Sequence, residues 1–301
     1  MTLEAARPAT AGELRSDYVA GLGLLILGTV AFSSAGFFVR LIGHDSPTIL
    51  FWRGIFTALT VLLYVVWREG RGTWASFRGM GLPGIAVSLL STISMICFVT
   101  SLQYTTVANN SITFGTAPFL TAGLAWFLIR ERPTPVTLIF SGVALIGALL
   151  VVGSSLQVAG GSALGDALAF GMTLSFAIKT VLLRQHRNRP MVPSGCIGAL
   201  VGSILTAPFA LLTITWHEIG LFALFGLTQQ GAGVILTTLG IARVPAAQSA
   251  LIMTLDLPLS PVWVWTIFGE RPTAMALLGG IIVLCAIIGH IVLDGRRRPF
   301  G

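Results

Sequence analysis

Ten apolar stretches alternate with short polar segments along the chain, near residues 18–41, 47–67, 82–103, 106–129, 134–153, 163–184, 194–214, 219–241, 246–267 and 272–293. A helix needs about 20 consecutive apolar residues to cross a bilayer, and each stretch reaches or approaches that length. Most connections are only a few residues long, which leaves no room for a soluble domain. The pattern predicts an all-α polytopic membrane protein of ten transmembrane helices. The first 17 residues are polar and mixed in charge and lack the apolar core of a signal peptide, so the first stretch is expected to be retained.

Composition agrees with that pattern. Of 301 residues, 54% are hydrophobic and 10% charged, with a mean hydropathy of +0.89. A soluble domain carries about 25% charged residues, so these charges are too few to cover a water-soluble globule. The formal charge of +7 comes from 17 arginines and one lysine against 11 acids. The arginines fall between the apolar stretches, as the positive-inside rule requires, and are not interleaved with aromatics as in a nucleic-acid groove. With the N-terminus inside, 14 arginines lie on cytoplasmic segments and only Arg40 and Arg271 on the other side. Both termini are therefore expected in the cytoplasm. Arg53 and Lys179 fall inside spans. Cys97, Cys196 and Cys285 lie within apolar runs and read as packing residues, not as a disulfide or metal framework.

The chain also repeats itself. Ser111–Thr134 (SITFGTAPFLTAGLAWFLIRERPT) is echoed by Ser249–Thr273 (SALIMTLDLPLSPVWVWTIFGERPT), with Ser111 matching Ser249, Thr116 matching Thr254 and, after one extra residue, Glu131 matching Glu270. Span 1 up to Arg40 lines up with span 6 up to Arg184 at an offset of 144. Each unit has five spans, and an odd number turns the second unit upside down. The expected organisation is an N-terminal tail (1–17), a first five-helix repeat (18–153), a second, inverted repeat (163–293) and a cytoplasmic C-terminal tail (294–301). Inverted repeats are the architecture of secondary transporters, whose site lies at the midplane between the units.

Taken together, these features resemble the drug/metabolite transporter superfamily, specifically the EamA-type ten-helix transporters. The resemblance covers nearly the whole chain. It rests on the two five-span copies, each ending its fourth span in Gly/Arg-Glu-Arg-Pro (130–133 and 269–272), on Arg53 of the second span, and on the Gly165-Asp166 that opens span 6. It implies an inner-membrane carrier of small metabolites, often exporting them, and usually driven by an ion gradient or working as an exchanger or uniporter. The first copy departs from Gly-Glu by carrying Arg130.

Within this frame, the residues that carry chemistry are few. Asp256 sits halfway along span 9, where an acid costs about 2.5–3.5 kcal/mol on insertion scales and must face a cavity or a partner. It reads either as a proton-coupling or substrate-ammonium carboxylate, or as a structural acid that pairs with Arg53 or Lys179 or caps backbone freed by Pro258. Pro258 and Pro261 are expected to kink span 9 just after Asp256, and Pro118 to kink span 4. Interrupted helices at matching positions point to a transport site. Lys179 either snorkels to the inner interface or binds a substrate carboxylate. Arg53 reads more simply as half of a helix-packing ion pair than as a ligand for a substrate carboxylate. Asn109, Asn110, Gln229, Gln230 and Gln248 would line a cavity or bond between helices, with Asn110 and Gln248 matched by the repeat and Ser91-Thr92 matched to Gln229-Gln230. Trp126, Trp263 and Trp265 suit an interfacial belt. Gly198 and Gly202 suit a helix contact or a dimer face, and Asp166 an N-cap.

The function expected is transport of small polar, amino-acid-like or other zwitterionic metabolites, outward, by alternating access. The alternatives are organic-cation efflux by proton antiport and a membrane-embedded lipid-modifying protein. The last would need clustered histidines or acids, whereas His44, His186, His217 and His290 are scattered and no HExxH, GxSxG or phosphate loop appears. No enzyme activity, cofactor, metal or nucleic acid is expected. The partners are a small-molecule substrate, the lipid of a bacterial-type inner membrane and a coupling proton, with the chain acting as a monomer or homodimer.

Overall fold

The computed structural model describes residues 11–105, 107–153, 163–269 and 273–297. Glu270, Arg271 and Pro272 of the second charged stop lie outside the described residues, as do Arg7 and Arg298 of the two tails. Every described element is helical. Span 1 is α1 (Ala11–Ser33) and α2 (Ala35–Ile42), and span 2 is α3 (Ser46–Glu69), followed by the short α4 (Thr73–Gly79). Span 3 is α5 (Gly81–Tyr104), span 4 is α6 (Val107–Gly115) and α7 (Ala117–Ile129), and span 5 is α8 (Pro135–Gly153). Span 6 is α9 (Ala163–Gln185) and span 7 is α10 (Pro193–Thr206). Span 8 runs from α11 (Trp216–Leu224) through a π-helical segment, Phe225–Gly231, into α12 (Ala232–Arg243). Span 9 is α13 (Ala246–Met253) and α14 (Asp256–Phe268), and span 10 is α15 (Ala274–Arg297). Eight of these are long and apolar enough to cross a membrane, and Pro135–Val151 and Pro193–Phe209 are the two shorter apolar helices.

Local chemistry sets the ends. Asp45 caps α3 by accepting from the Thr48 amide at 3.3 Å, with Pro47 in the first turn, where no donor is needed. Thr215 and Glu218 form a capping box on α11, and Glu218 also meets His44 at 2.7 Å. Span 7 stops earlier than the apolar run predicts. Pro208 withholds a donor, and the chain passes through a 3-10 turn (Ala207–Phe209) into an extended segment. Span 1 begins earlier, because backbone bonding continues through the polar residues Glu13 to Asp17 that hydropathy leaves out.

The tightest helix pairs are 5 with 10, 3 with 6, 1 with 8, and 2 with 7. Exchanging the two five-span units maps 1–8 onto 6–3 and returns 2–7 and 5–10 to themselves, as two inverted copies require. With lipid as apolar as leucine, such contacts depend on small residues. Gly147 and Gly279 bring the backbones of spans 5 and 10 together: a Cβ on Gly279 would lie 2.5 Å from the Gly147 carbonyl oxygen. Gly198 and Gly202 face Ser88 and Met95, so the small-residue pair of span 7 is a contact with span 3 inside the chain. Leu82 and Phe127, by contrast, are almost wholly exposed and face outward, as lipid-contacting side chains do. Gly279→Ala is expected to cost about 1–3 kcal/mol by overpacking and to lower the unfolding midpoint in detergent by several degrees. Gly123→Ala, where a Cβ meets open space, is the control and should leave the midpoint in place.

Candidate functional site

Spans 4 and 9 are both broken, at repeat-matched threonines. The Thr116 amide and hydroxyl both donate to the Thr113 carbonyl, at 3.1 and 2.6 Å, and those of Thr254 donate to the Leu251 carbonyl at the same two distances. Each break is thus a tight turn closed by a back-bonded threonine. In span 9 the break lies before Asp256, over Thr254 and Leu255, and not after it as the prolines suggested. A proline acts one turn upstream: Pro258 has no N–H for the Thr254 carbonyl, and the Leu257 amide takes that acceptor at 3.1 Å. Asp256 therefore opens the lower-numbered end of α14 and is the eleventh of the 23 residues of its span. Pro261 continues inside α14, and Pro118 sits in the first turn of α7.

Asp256 is half-buried, and its carboxylate accepts from the Ser260 hydroxyl at 3.3 Å. It forms an ion pair with neither Lys179 nor Arg53. Lys179, also half-buried, places its ammonium 5.5 Å from the centre of the Phe176 ring, which is in turn edge-on to Phe114 of span 4 at 5.1 Å. Arg53 lies over Phe225 at 5.2 Å, where span 2 crosses the π segment, so its place is the packing contact between spans 2 and 8.

That π segment carries the two glutamines. Gln229, the fourteenth of the 28 residues of its span, donates to the Phe32 carbonyl at 3.2 Å, just ahead of a third break at Ser34 in span 1. Its own carbonyl oxygen is buried with no hydrogen-bond partner. Gln230 is half-buried. Their matches in span 3 behave differently: Thr92 bonds the Ser88 and Gly198 carbonyls and joins spans 3 and 7. Trp263, expected in an interfacial belt, instead donates from its indole to the Ser33 hydroxyl at 2.8 Å, tying span 9 to span 1 at the break. Trp126 and Trp265 are exposed on the outer surface.

The structure separates Asn110 from Gln248. They sit in the first turns of inverted helices, and therefore at opposite ends of the molecule. Asn110 bonds Ser101 at 2.6 Å, and its carbonyl oxygen is buried without a partner. Gln248 belongs to a buried polar cluster that sequence reading missed. Its amide donates to Asp294 at 2.6 Å and approaches His290 at 3.4 Å, while the Tyr18 hydroxyl donates to the Gln248 carbonyl at 3.1 Å. Thr137 of span 5 joins through His290 at 3.1 Å. The only signal in the sequence was His290 and Asp294 one turn apart at the end of an apolar run. Asp166, read as an N-cap, lies in the first turn of α9 and accepts from Thr105 at 2.9 Å, linking spans 3 and 6.

Next to this cluster is a cavity of about 270 Å³ lined by Glu131, Arg184, Thr134, Thr137 and Gln248. Its wall is a latch across the inner face. Glu131, of the charged stop after span 4, pairs with Arg184 of span 6 at 3.2 Å and accepts the Ala246 amide that opens span 9 at 2.8 Å. Arg184 also donates to the Ala242 carbonyl at 2.7 Å, which ends span 8. One carboxylate thus holds the first repeat to spans 6 and 9 of the second, and through Arg184 to span 8. Among the described residues no cluster of metal-ligating side chains occurs.

Two broken spans in inverted halves, with a membrane-embedded carboxylate at one break, form the frame of a carrier, and the EamA-like transporter family matches the chain over residues 19–153 and again over 163–292. The chain belongs to the EamA-like transporter family. A relative is the pseudopaline exporter CntI of Pseudomonas aeruginosa, 22% identical over 275 residues, covering 89% of this chain and 94% of that one. Another is the S-adenosylmethionine uptake transporter of Rickettsia bellii, 24% identical over 278 residues, 90% of this chain and 93% of the relative. A solved crystal structure superposes with a TM-score of 0.77 at 15% identity, over 93% of this chain and 98% of that one, a likeness of fold. The protein is a multi-pass inner-membrane transporter of small molecules, not an enzyme.

Proposed function

We propose that this transporter carries small zwitterionic, amino-acid-like metabolites, binding them at the broken middle of span 9 and moving them outward by rocking its two halves. The observation that carries this reading is a pair of opposite charges that the protein does not neutralise itself. Asp256 and Lys179 are half-buried within spans, and neither has an ion-pair partner among the described residues. Embedded charges of this kind mark substrate and ion pathways. The unpaired Gln229 carbonyl at mid-span adds an acceptor, and leaving such an acceptor unmet costs about 1–3 kcal/mol. A substrate ammonium would supply the missing donor. Relatives named for export and for uptake both match this chain, so direction does not follow from likeness; outward movement is this reading's own expectation.

Reconstituted vesicles offered a panel of amino acids, nucleosides and quaternary amines test the substrate class. Uptake into inverted vesicles should favour the amino acids, and Lys179→Met should weaken it by about 10- to 100-fold, the equivalent of one charged hydrogen bond. A second reading, efflux of organic cations, is favoured by the Phe176 ring that already holds the lysine ammonium. It requires that quaternary amines be transported and that Lys179→Met leave that transport intact.

A further inference from the structure

A cavity of about 490 Å³ on the arginine-rich face lies among the inner ends of spans 2, 6, 7 and 8. Its volume falls in the range of about 300–1,000 Å³ typical of small-molecule sites. Four arginines line it: Arg68, Arg187, Arg189 and Arg243. Two carboxylates share the wall and are already engaged, Asp17 with Arg243 at 2.8 Å and Glu69 with Arg68 at 3.7 Å. Arg187 and Arg189 have no acidic partner among the described residues. The cavity therefore holds two guanidinium groups in excess, above an apolar floor that includes Val65 and Leu239.

The loop that carries those two arginines is held in place. The Arg189 amide donates to the His186 carbonyl at 2.9 Å, closing a turn. Pro190 packs against Gly79, and the Arg189 guanidinium lies over Gly81, where a Cβ would come within 2.7 Å of it. Gly81 also has φ +57, so the backbone calls for glycine there. On the flank, Trp67 and Trp74 are 82% and 67% exposed, with Arg78 stacked on Trp74 at 5.4 Å. Exposed tryptophans at a span end mark the level of the lipid headgroups.

We propose that this cavity is a binding site for a phosphate-bearing anion, filled by the headgroup of an anionic phospholipid of the inner leaflet, with Arg187 and Arg189 holding the phosphodiester. Guanidinium groups grip phosphate oxygens through parallel hydrogen bonds, and basic pockets between spans on the cytoplasmic side suit such headgroups. The tryptophan level places the source in the membrane.

The test uses the purified full chain in detergent, with unfolding midpoint followed against added phosphatidylglycerol, phosphatidylcholine or inorganic phosphate. Phosphatidylglycerol should raise the midpoint saturably and phosphatidylcholine should not. The double substitution Arg187→Gln, Arg189→Gln should raise the half-saturating lipid concentration about thirtyfold, from about fivefold per arginine. Arg187→Lys with Arg189→Lys keeps the charge but loses the parallel bonds, and should fall between the parent and the double-Gln variant. If inorganic phosphate reproduces the shift at equal concentration, the lipid assignment falls. An equal response to both lipids, an unchanged double-Gln variant, or a double-Lys variant as weak as the double-Gln one overturns the site.

Discussion

Asp256→Asn is expected to abolish accumulation of substrate against its gradient in reconstituted vesicles driven by a pH difference. Asparagine keeps the shape and the bond from Ser260 but neither carries a proton nor attracts an ammonium group. The lost charge-assisted contact alone corresponds to about 10- to 100-fold in affinity. In the coupling role proposed for Asp256, loss of the carboxyl group removes the drive, so downhill exchange at high substrate can survive where uphill transport does not. Asp256→Glu should retain part of both, because the carboxylate is displaced by one methylene at a helix start. Uphill transport by the Asn variant at the parent rate would show that Asp256 has no part in coupling, and the acid would then be a feature of the break alone.

The second large effect is expected at the inner latch. Glu131→Gln removes the carboxylate charge beside the Arg184 guanidinium, whose side chain is only 14% exposed, and weakens the acceptor for the Ala246 amide. A hydrogen bond to a charged group contributes about 1.5–3 kcal/mol, enough to shift an open–closed equilibrium by about 10- to 100-fold. In a background lacking Cys97, Cys196 and Cys285, a cysteine placed at Ala247, which lines the inner cavity, should then react faster with a water-soluble thiol reagent from the cytoplasmic side. Arg184→Gln should give the same acceleration, and the double variant little more, because both remove one interaction. Unchanged labelling in both single variants would mean that the inner face opens elsewhere.

Much of this frame was readable from the chain. Span number, repeat order and the interruption of spans 4 and 9 follow from hydropathy, the arginine bias and proline, which are local signals. The position of the span 9 break was misread because proline disturbs the turn before it, and that effect belongs to Thr254. The break at Ser34 and the π segment at Phe225–Gly231 have no proline to announce them; they are held by partners such as Gln229 with Phe32 and Trp263 with Ser33, far apart in sequence. The same holds for the cluster of Tyr18, Gln248, His290 and Asp294. Asn110 and Gln248 show the limit of the repeat itself: matched positions in inverted units lie at mirrored depths, so a match places two residues in one layer only near the midplane. The charged stop was legible as a boundary, but its reach to Arg184 and Ala246 was not.

The break in span 4 occupies one residue, Thr116, while that in span 9 occupies two, Thr254 and Leu255. One added residue turns a helix by about 100°, so α14 presents a different side to the interior than α7 does. Two identical inverted units would make the inward-facing and outward-facing forms equal in energy by symmetry. Here no symmetry enforces that balance, and the resting preference for one side of the membrane is a property the sequence can tune.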